Sequence, residues 1–271
     1  MSVAFLSSKF TQELPRRIHR RESNGLTIEV KQNSRYRWLT FANGIVQSAM
    51  SLEAPHELVL AYTHSMMAPL IFNPTPQRIL CLGIGGGSLV RHFRHTLPEA
   101  EITAVDSSLE VIETARDYFQ LPADGPNLHV ATDDARTAIA HAVSQDLVLV
   151  DVFDEQGMPA WLASSGFFAT CRRALSEQGI LVLNLMPDDE AELAQFLSAL
   201  RHEFLGRVLV TTLVDYRNVI VIALQEPPDE LAVAALGSRA HALEKQLKLP
   251  LGRILRNICG VNVCHGGQLV I

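Results

Sequence analysis

Residues 78–106 read RILCLGIGGGSLVRHFRHTLPEAEITAVD, and this stretch decides the fold. A short apolar run, Ile79 to Gly83, leads into a glycine-rich turn, Gly83-Ile84-Gly85-Gly86-Gly87-Ser88. An amphipathic segment, Ser88 to Thr96, and a second apolar run, Ile102 to Val105, follow. Short apolar runs separated by helical segments are the pattern of strands buried on both faces of a parallel sheet. Glycines let the backbone take positive φ and approach a ligand closely, and the helix start offers unpaired N–H donors. Asp106 ends the second run, about twenty residues after the loop, where a carboxylate can accept hydrogen bonds from a ribose diol. A tight strand-to-helix turn with no ligand is the plainer alternative.

The same rhythm continues toward the C terminus. Leu128 to Ala131, Leu147 to Val152 and Ile180 to Leu185 read as further buried strands. Helices are expected over Ser107 to Phe119, Gly166 to Leu175 and Asp188 to Phe204. Ser107 and Glu110 have capping-box spacing, and Leu109, Ile112, Ala115 and Phe119 form one apolar stripe behind them. Two β-rich runs close the pattern, Val208 to Val214 and Val219 to Leu224. The connection between them, Asp215 to Asn218, is too short for a crossover helix. They must therefore pair antiparallel. Five parallel strands closed by a hairpin make an α/β, doubly wound, AdoMet-methyltransferase-like sheet, whereas a dinucleotide dehydrogenase continues with parallel strands. A last helix, about Asp229 to Leu247, and a short tail after Pro250 complete the chain.

Upstream, the period changes to two. Leu26, Ile28 and Val30, then Trp38 and Phe41, then Ile45 and Val46 alternate between the breakers Asn33-Ser34 and Asn43-Gly44. Asn-Gly between apolar residues is a strong hairpin signal, so a small antiparallel β unit is expected here. Residues 52–72 look helical, with Leu58, Ala61, Tyr62, Ser65 and Met66 at three-four spacing before Pro74 and Pro76. The expected division is an arm over 1–23, a β-hairpin unit over 24–52, a nucleoside-binding domain over 53–225, and a C-terminal helix with tail over 226–271.

Composition narrows the function. The chain has 271 residues, 48% hydrophobic and 19% charged, with a net charge of −6. That apolar fraction supports a sizeable core, and the acidic balance argues against a nucleic-acid partner, which calls for a surplus of Lys and Arg on one face. The one basic run, Arg16, Arg17, His19, Arg20 and Arg21, lies in the N-terminal arm and reads as a solvated arm, a subunit contact or an anion site. No apolar stretch reaches the ~20 residues of a membrane span, and Met1 to Phe10 lacks a signal-peptide layout, so no membrane partner and a cytoplasmic location are expected. Four cysteines do not make a disulfide framework. Cys259, Cys264 and His265 lack paired CxxC spacing, so no metal is expected.

Acids gather after the later strands. Asp133 and Asp134 follow the third, where one can reach the amino edge of an adenine in the crevice outside the strand ends. A helix N-cap is the competing role for Asp134. Asp151 and Asp154 stand in VDVFDEQGMP, residues 150–159. Three acids at one strand end, Glu155 included, are costly unless they face solvent, bind a cation or accept a proton, since like charges raise one another's pKa. A cationic ligand removes that cost, and a solvated acidic loop is the alternative.

With these residues in place, the stretch from about 26 to 225 resembles the spermidine synthase-like aminopropyltransferases. The resemblance rests on Gly44 to Gln47, the loop at Gly83, Asp106, Asp134, and Asp151-x-x-Asp154. It implies a transferase of polyamine biosynthesis that moves the aminopropyl group of decarboxylated S-adenosylmethionine (AdoMet) to a small-molecule amine, as a homodimer. By position, it implies that Gln47 and Asp106 hold the nucleoside sugar with the loop of Gly83, Gly85 and Gly87. Asp134 would meet the adenine, Asp151 the attacking amine and Asp154 the polyamine chain, with 151–159 acting as a lid. Three positions depart from the family pattern. Gly86 replaces an aspartate that pairs with the donor's ammonium. Pro55-His56-Glu57 stands where a tyrosine precedes His-Glu or Gln-Glu, which leaves His56 and Glu57 as acceptor contacts. No Pro-Thr-Tyr-Pro occurs in Leu213 to Asn218, although Tyr216 falls there. These departures keep AdoMet-dependent methyl transfer and a non-catalytic nucleoside-binding role as alternatives.

Overall fold

Alternation brings four strands together first: β1 (Arg16–Ser23), β2 (Leu26–Gln32), β3 (Tyr36–Thr40) and β4 (Val46–Ser51), antiparallel in that order. The computed structural model describes residues 10, 13–23, 25–42, 44–154, 157–213 and 216–271. Asn43 of the Asn-Gly turn, Glu155 and Gln156 of the expected lid, Val214 and Asp215 of the last connection, Asn24, and most of residues 1–12 lie outside those described. The β unit is one strand larger than expected, because the basic run forms β1 and pairs along β2 from Arg16 opposite Gln32 to Ser23 opposite Leu26. Charged side chains crowd this strand and all eight positions are exposed or half-buried, so no apolar alternation marked it. Ile28, Val30, Leu39 and Met50 form the inner face of the unit and pack on Val111 and Phe119. Arg21 to Glu113 and Ser23 to Glu110 tie β1 to the helix that carries Val111 and Phe119, Leu109–Phe119.

The larger sheet has the order β10-β11-β9-β8-β5-β6-β7. Its strands are β5 (Arg78–Leu82), β6 (Glu101–Asp106), β7 (Leu128–Thr132), β8 (Gln145–Val150), β9 (Leu175–Leu185), β10 (Val208–Thr212) and β11 (Val219–Leu224). β5 to β9 run parallel, and β11 pairs antiparallel with both β9 and β10. This is the doubly wound sheet with a terminal hairpin that the pattern implies. Alternate residues feed two cores: Ile79, Cys81, Leu147, Leu149, Ile180 and Val182 face one side, and Leu80, Leu82, Val148, Val150, Leu181 and Leu183 the other.

The helices are α1 (Ala61–Met66), α2 (Ser88–Thr96), α3 (Leu109–Phe119), α4 (Ala135–His141), α5 (Ser165–Ala174), α6 (Glu190–Glu203), α7 (Val233–Leu247) and α8 (Leu251–Val261). Four differences from the pattern reading have physical causes. The expected helix over 52–72 shrinks to α1 and a 3₁₀ turn, Ala68–Ile71, with Pro69 in its first turn. The cap of α3 is Ser108, whose hydroxyl accepts from Val111 N–H, rather than Ser107. α4 buries Ile139 alone, so it carries no apolar stripe to detect. Past Pro250, α8 replaces the expected tail and buries Leu251, Ile254, Leu255 and Ile258. Among the described residues, no helix is long and apolar enough to cross a membrane.

Candidate active site

Gly83, Asp106, Asp133, Asp151 and Asn184 each follow or end a parallel strand, and all line one cavity of about 890 Å³. It opens where β5 leads to β6 on one side while β8 and β9 lie on the other. That is the switch point at which open α/β sheets bind ligands. Trp38, Gln47 and Ser48 of the N-terminal unit and Tyr62 of α1 complete the walls.

Gly83 is dictated by the approach of its neighbour. Its φ is +91°, and a Cβ there would lie 2.0 Å from the Asp151 carbonyl oxygen, so only glycine lets the loop cross the end of β8. Asp106 then holds the loop. Its Oδ2 accepts from the N–H of Ile84 (2.9 Å) and Gly85 (3.3 Å), and its Oδ1 from Ser108 N–H (3.1 Å). Burial pushes this carboxyl above its ordinary pKa, and the three backbone donors oppose that rise. Three of roughly four acceptor sites are thereby used, which leaves room for a ligand hydroxyl beside the loop.

Gly86, the departure in the loop, has no space for a side chain. A Cβ would meet Ser48 Oγ at 2.7 Å and the Phe119 ring at 3.2 Å. Behind it lies Arg91, 5% exposed, which donates to the carbonyls of Gly86 and Pro55 and to Ser88 Oγ. Burial lowers this guanidinium to about 10, so it is charged at neutral pH.

Asp151 lies at the centre of a hydrogen-bonded chain. Tyr62 Oη donates to its Oδ2 (3.1 Å) and also lies 3.2 Å from the Gln47 carbonyl; Asn184 Nδ2 donates to Oδ1 (2.8 Å). Burial raises the Asp151 carboxyl, and the Asn184 and Tyr62 donors counter it. Burial and the adjacent carboxylate push the Tyr62 phenol well above its usual value, so it stays a donor.

The remaining candidates separate. Asp154 lines the cavity and its Oδ1 accepts from Gly157 N–H (2.9 Å), closing a turn. Asp133 and Asp134 line it too. Asp134, however, caps α4 and takes three hydrogen bonds from Arg136, which holds its carboxyl at about 2. The capping role weighed for it is therefore occupied. His56 and Glu57 do not line the cavity: His56 stacks on His95 at 3.7 Å and Glu57 pairs with Lys248 at 3.1 Å. His56 and Glu57 lie in the turn between β4 and α1, away from the cavity, whereas Tyr62 in the first turn of α1 brings a phenol to Asp151. Sequence reading passed over Tyr62 because it served as a helix-face residue. Asn184 and Asn218 were missed as polar residues at the ends of apolar runs. Among the described residues, no group of three His, Cys, Asp or Glu side chains is placed to hold a metal ion.

Comparison with known proteins identifies this arrangement. The family model described as the spermine/spermidine synthase domain matches residues 60–222. A polyamine aminopropyltransferase of Chromobacterium violaceum is 34% identical over 245 residues, covering 90% of this chain and 94% of the relative. One from Neisseria meningitidis is 34% identical over 253 residues, covering 93% and 96%. Among solved structures, a probable spermidine synthase from Corynebacterium glutamicum superposes with a TM-score of 0.68 at 20% identity, over 93% of this chain and 98% of that one. The family model spans more than half of the chain and both relatives are matched over nearly their whole length, so the chain belongs to the spermine/spermidine synthase family.

Proposed function

We propose that Asp151 is the proton acceptor in an aminopropyl transfer from decarboxylated AdoMet to an aliphatic amine. The observation that carries this reading is the Asp151 carboxylate, fixed by Tyr62 and Asn184, in the same cavity as Asp106 and the glycine loop. An aliphatic amine has an ordinary pKa near 10.4, so at pH 7 only about one molecule in a thousand carries a free lone pair. As a carboxylate, Asp151 attracts the ammonium, takes its proton and turns the lone pair toward the reacting carbon. The nitrogen forms a bond to the aminopropyl carbon, that carbon's bond to the sulfonium breaks with both electrons going to sulfur, and methylthioadenosine leaves as a neutral thioether.

Asp106 and the loop from Gly83 to Gly87 hold the nucleoside sugar in this reading, with Gln47 beside them. Asp134 has its oxygens engaged by Arg136, so the adenine contact is assigned to the Asp133-Asp134 turn as a whole. Asp154 faces the far part of the acceptor. A homodimer and a cytoplasmic setting belong to the same proposal. Incubation with decarboxylated AdoMet and a panel of amines, read by mass spectrometry, tests the transfer. Methylthioadenosine at a hundred times its Kd should stabilise the fold by ~2.7 kcal/mol, and S-adenosylhomocysteine should do so only if AdoMet is the true donor.

A further inference from the structure

The chain of hydrogen bonds at Asp151 does not end at Asn184. Asn184 is 1% exposed at the end of β9, and its Oδ1 accepts from Asn218 Nδ2 at 2.9 Å while its own Nδ2 donates to Asp151 Oδ1 at 2.8 Å. The sheet dictates this meeting. β8 and β9 are paired with Val150 beside Leu183, so one more residue sets Asp151 beside Asn184. β11 runs back along β9 with Val219 opposite Leu185, which brings the residue before β11, Asn218, to the same strand end.

We infer that Asn184 and Asn218 are positioning residues that hold Oδ1 of Asp151 permanently as a hydrogen-bond acceptor and so direct the amine's proton to Oδ2. The inference rests on the reading of Asp151 as proton acceptor and adds which oxygen does it. An isolated buried asparagine can rotate its amide and offer either a donor or an acceptor. Asn184 cannot do so without cost. Rotation would turn its NH₂ toward the NH₂ of Asn218 and its oxygen toward the carboxylate, leaving the buried amide of Asn184 facing like groups on both sides. The Asn218 donor therefore locks Asn184 with its own donor facing Asp151.

The other oxygen has no such lock. Tyr62 Oη lies within reach of both Asp151 Oδ2 and the Gln47 carbonyl. While Asp151 is ionised, the phenol donates to Oδ2. Once Oδ2 carries the amine's proton, it donates to the phenol oxygen, and the phenol turns its own hydrogen to the Gln47 carbonyl. Both protonation states stay paired on this side, whereas a proton on Oδ1 would oppose the Asn184 donor. The proton leaves the amine nitrogen and binds Oδ2, with no oxidant or further reactant, and returns to solvent after the product departs. The other titratable groups facing the carboxyl are Asp106, whose charge raises it, and the Cys81 thiol, which its charge raises in turn. Neither donates to Oδ1.

The test is the pH dependence of kcat with decarboxylated AdoMet and whichever α,ω-diaminoalkane the wild type uses. Asn218→Ala removes the lock without touching the core, and Asn184→Leu removes the donor. Both should move the acid limb upward, by about one pH unit for Asn184→Leu and less for Asn218→Ala, with the donor KM within a few-fold. Asn184→Gln should restore part of the shift. Folding is checked by melting temperature and circular dichroism. A uniform loss of rate with an unmoved limb in folded Asn218→Ala would mean a merely structural role and would overturn the inference. Asp151→Asn separates the two layers. If it keeps normal turnover, the proton-acceptor reading and this inference fall together. If it loses turnover while the Asn218→Ala limb stays in place, only the inference falls.

Discussion

Acid should loosen the helix behind the glycine loop, and His92 sets where that happens. His92 lies on α2, 1% exposed, with Nδ1 3.1 Å from the His56 carbonyl and Nε2 buried without a hydrogen-bond partner. Burial lowers the ring from an ordinary 6.5 to about 4; the His56 carbonyl resists that fall, while His64, His56 and His95 add to it. Between those values the unfolded chain binds the proton and the folded chain does not, so stability falls as pH drops through the window. At about 1.4 kcal/mol per unit, the loss is about 2 kcal/mol by pH 5 and about 3 kcal/mol by pH 4. His92→Gln keeps a donor for the His56 carbonyl in a group that does not titrate. Urea unfolding of both proteins at pH 7, 6 and 5 should therefore show the wild type losing about 2 kcal/mol more than the variant between the extremes. Equal losses would refute the assignment. The consequence reaches the site through the preceding residue, Arg91, which holds the Gly86 carbonyl.

Three further outcomes follow from the site. Asp106→Ala should weaken methylthioadenosine binding at least tenfold by calorimetry, because a charge-assisted acceptor and the anchor of two loop amides are lost together; unchanged affinity would remove Asp106 from the sugar site. Gly86→Ala should cost ~1–3 kcal/mol in denaturant unfolding, since β4 and α3 must both yield to the new Cβ; a neutral result would contradict the packing. Asp134→Ala should lower stability by about 1 kcal/mol at neutral pH as a lost N-cap. That contribution is present above the ordinary carboxyl value of 3.8 and lost as pH falls toward about 2, so wild type and variant should converge in acid.

The sheet was legible because its inner strands are buried on both faces and bounded by glycine, proline or polar turns, so composition alone separates them from the helices. The antiparallel end was legible from chain length, since four residues cannot hold a crossover. β1 was not, because a strand of half-exposed arginines has no apolar period, and α8 was hidden by taking Pro250 as a stop rather than as the residue before a start. Within the site, Asp106 and Asp151 were visible as acids at strand ends. Tyr62, Asn184 and Asn218 required register: the offset between β8 and β9 that seats Asn184 beside Asp151 is a property of paired backbones, and no residue type announces it. His56 and Glu57 were drawn in by their place in a motif, but they stand in the turn before α1, where they meet His95 and Lys248 instead of the cavity.

The central claim is that Asp151 takes the amine's proton, and Asp151→Asn tests it most directly. The amide keeps the shape, still meets Tyr62, and removes the charge. With decarboxylated AdoMet and an amine that the wild type uses, product formation followed by mass spectrometry should fall by roughly 10²-fold or more while methylthioadenosine affinity stays within a few-fold. Near-normal turnover in Asp151→Asn would contradict the account.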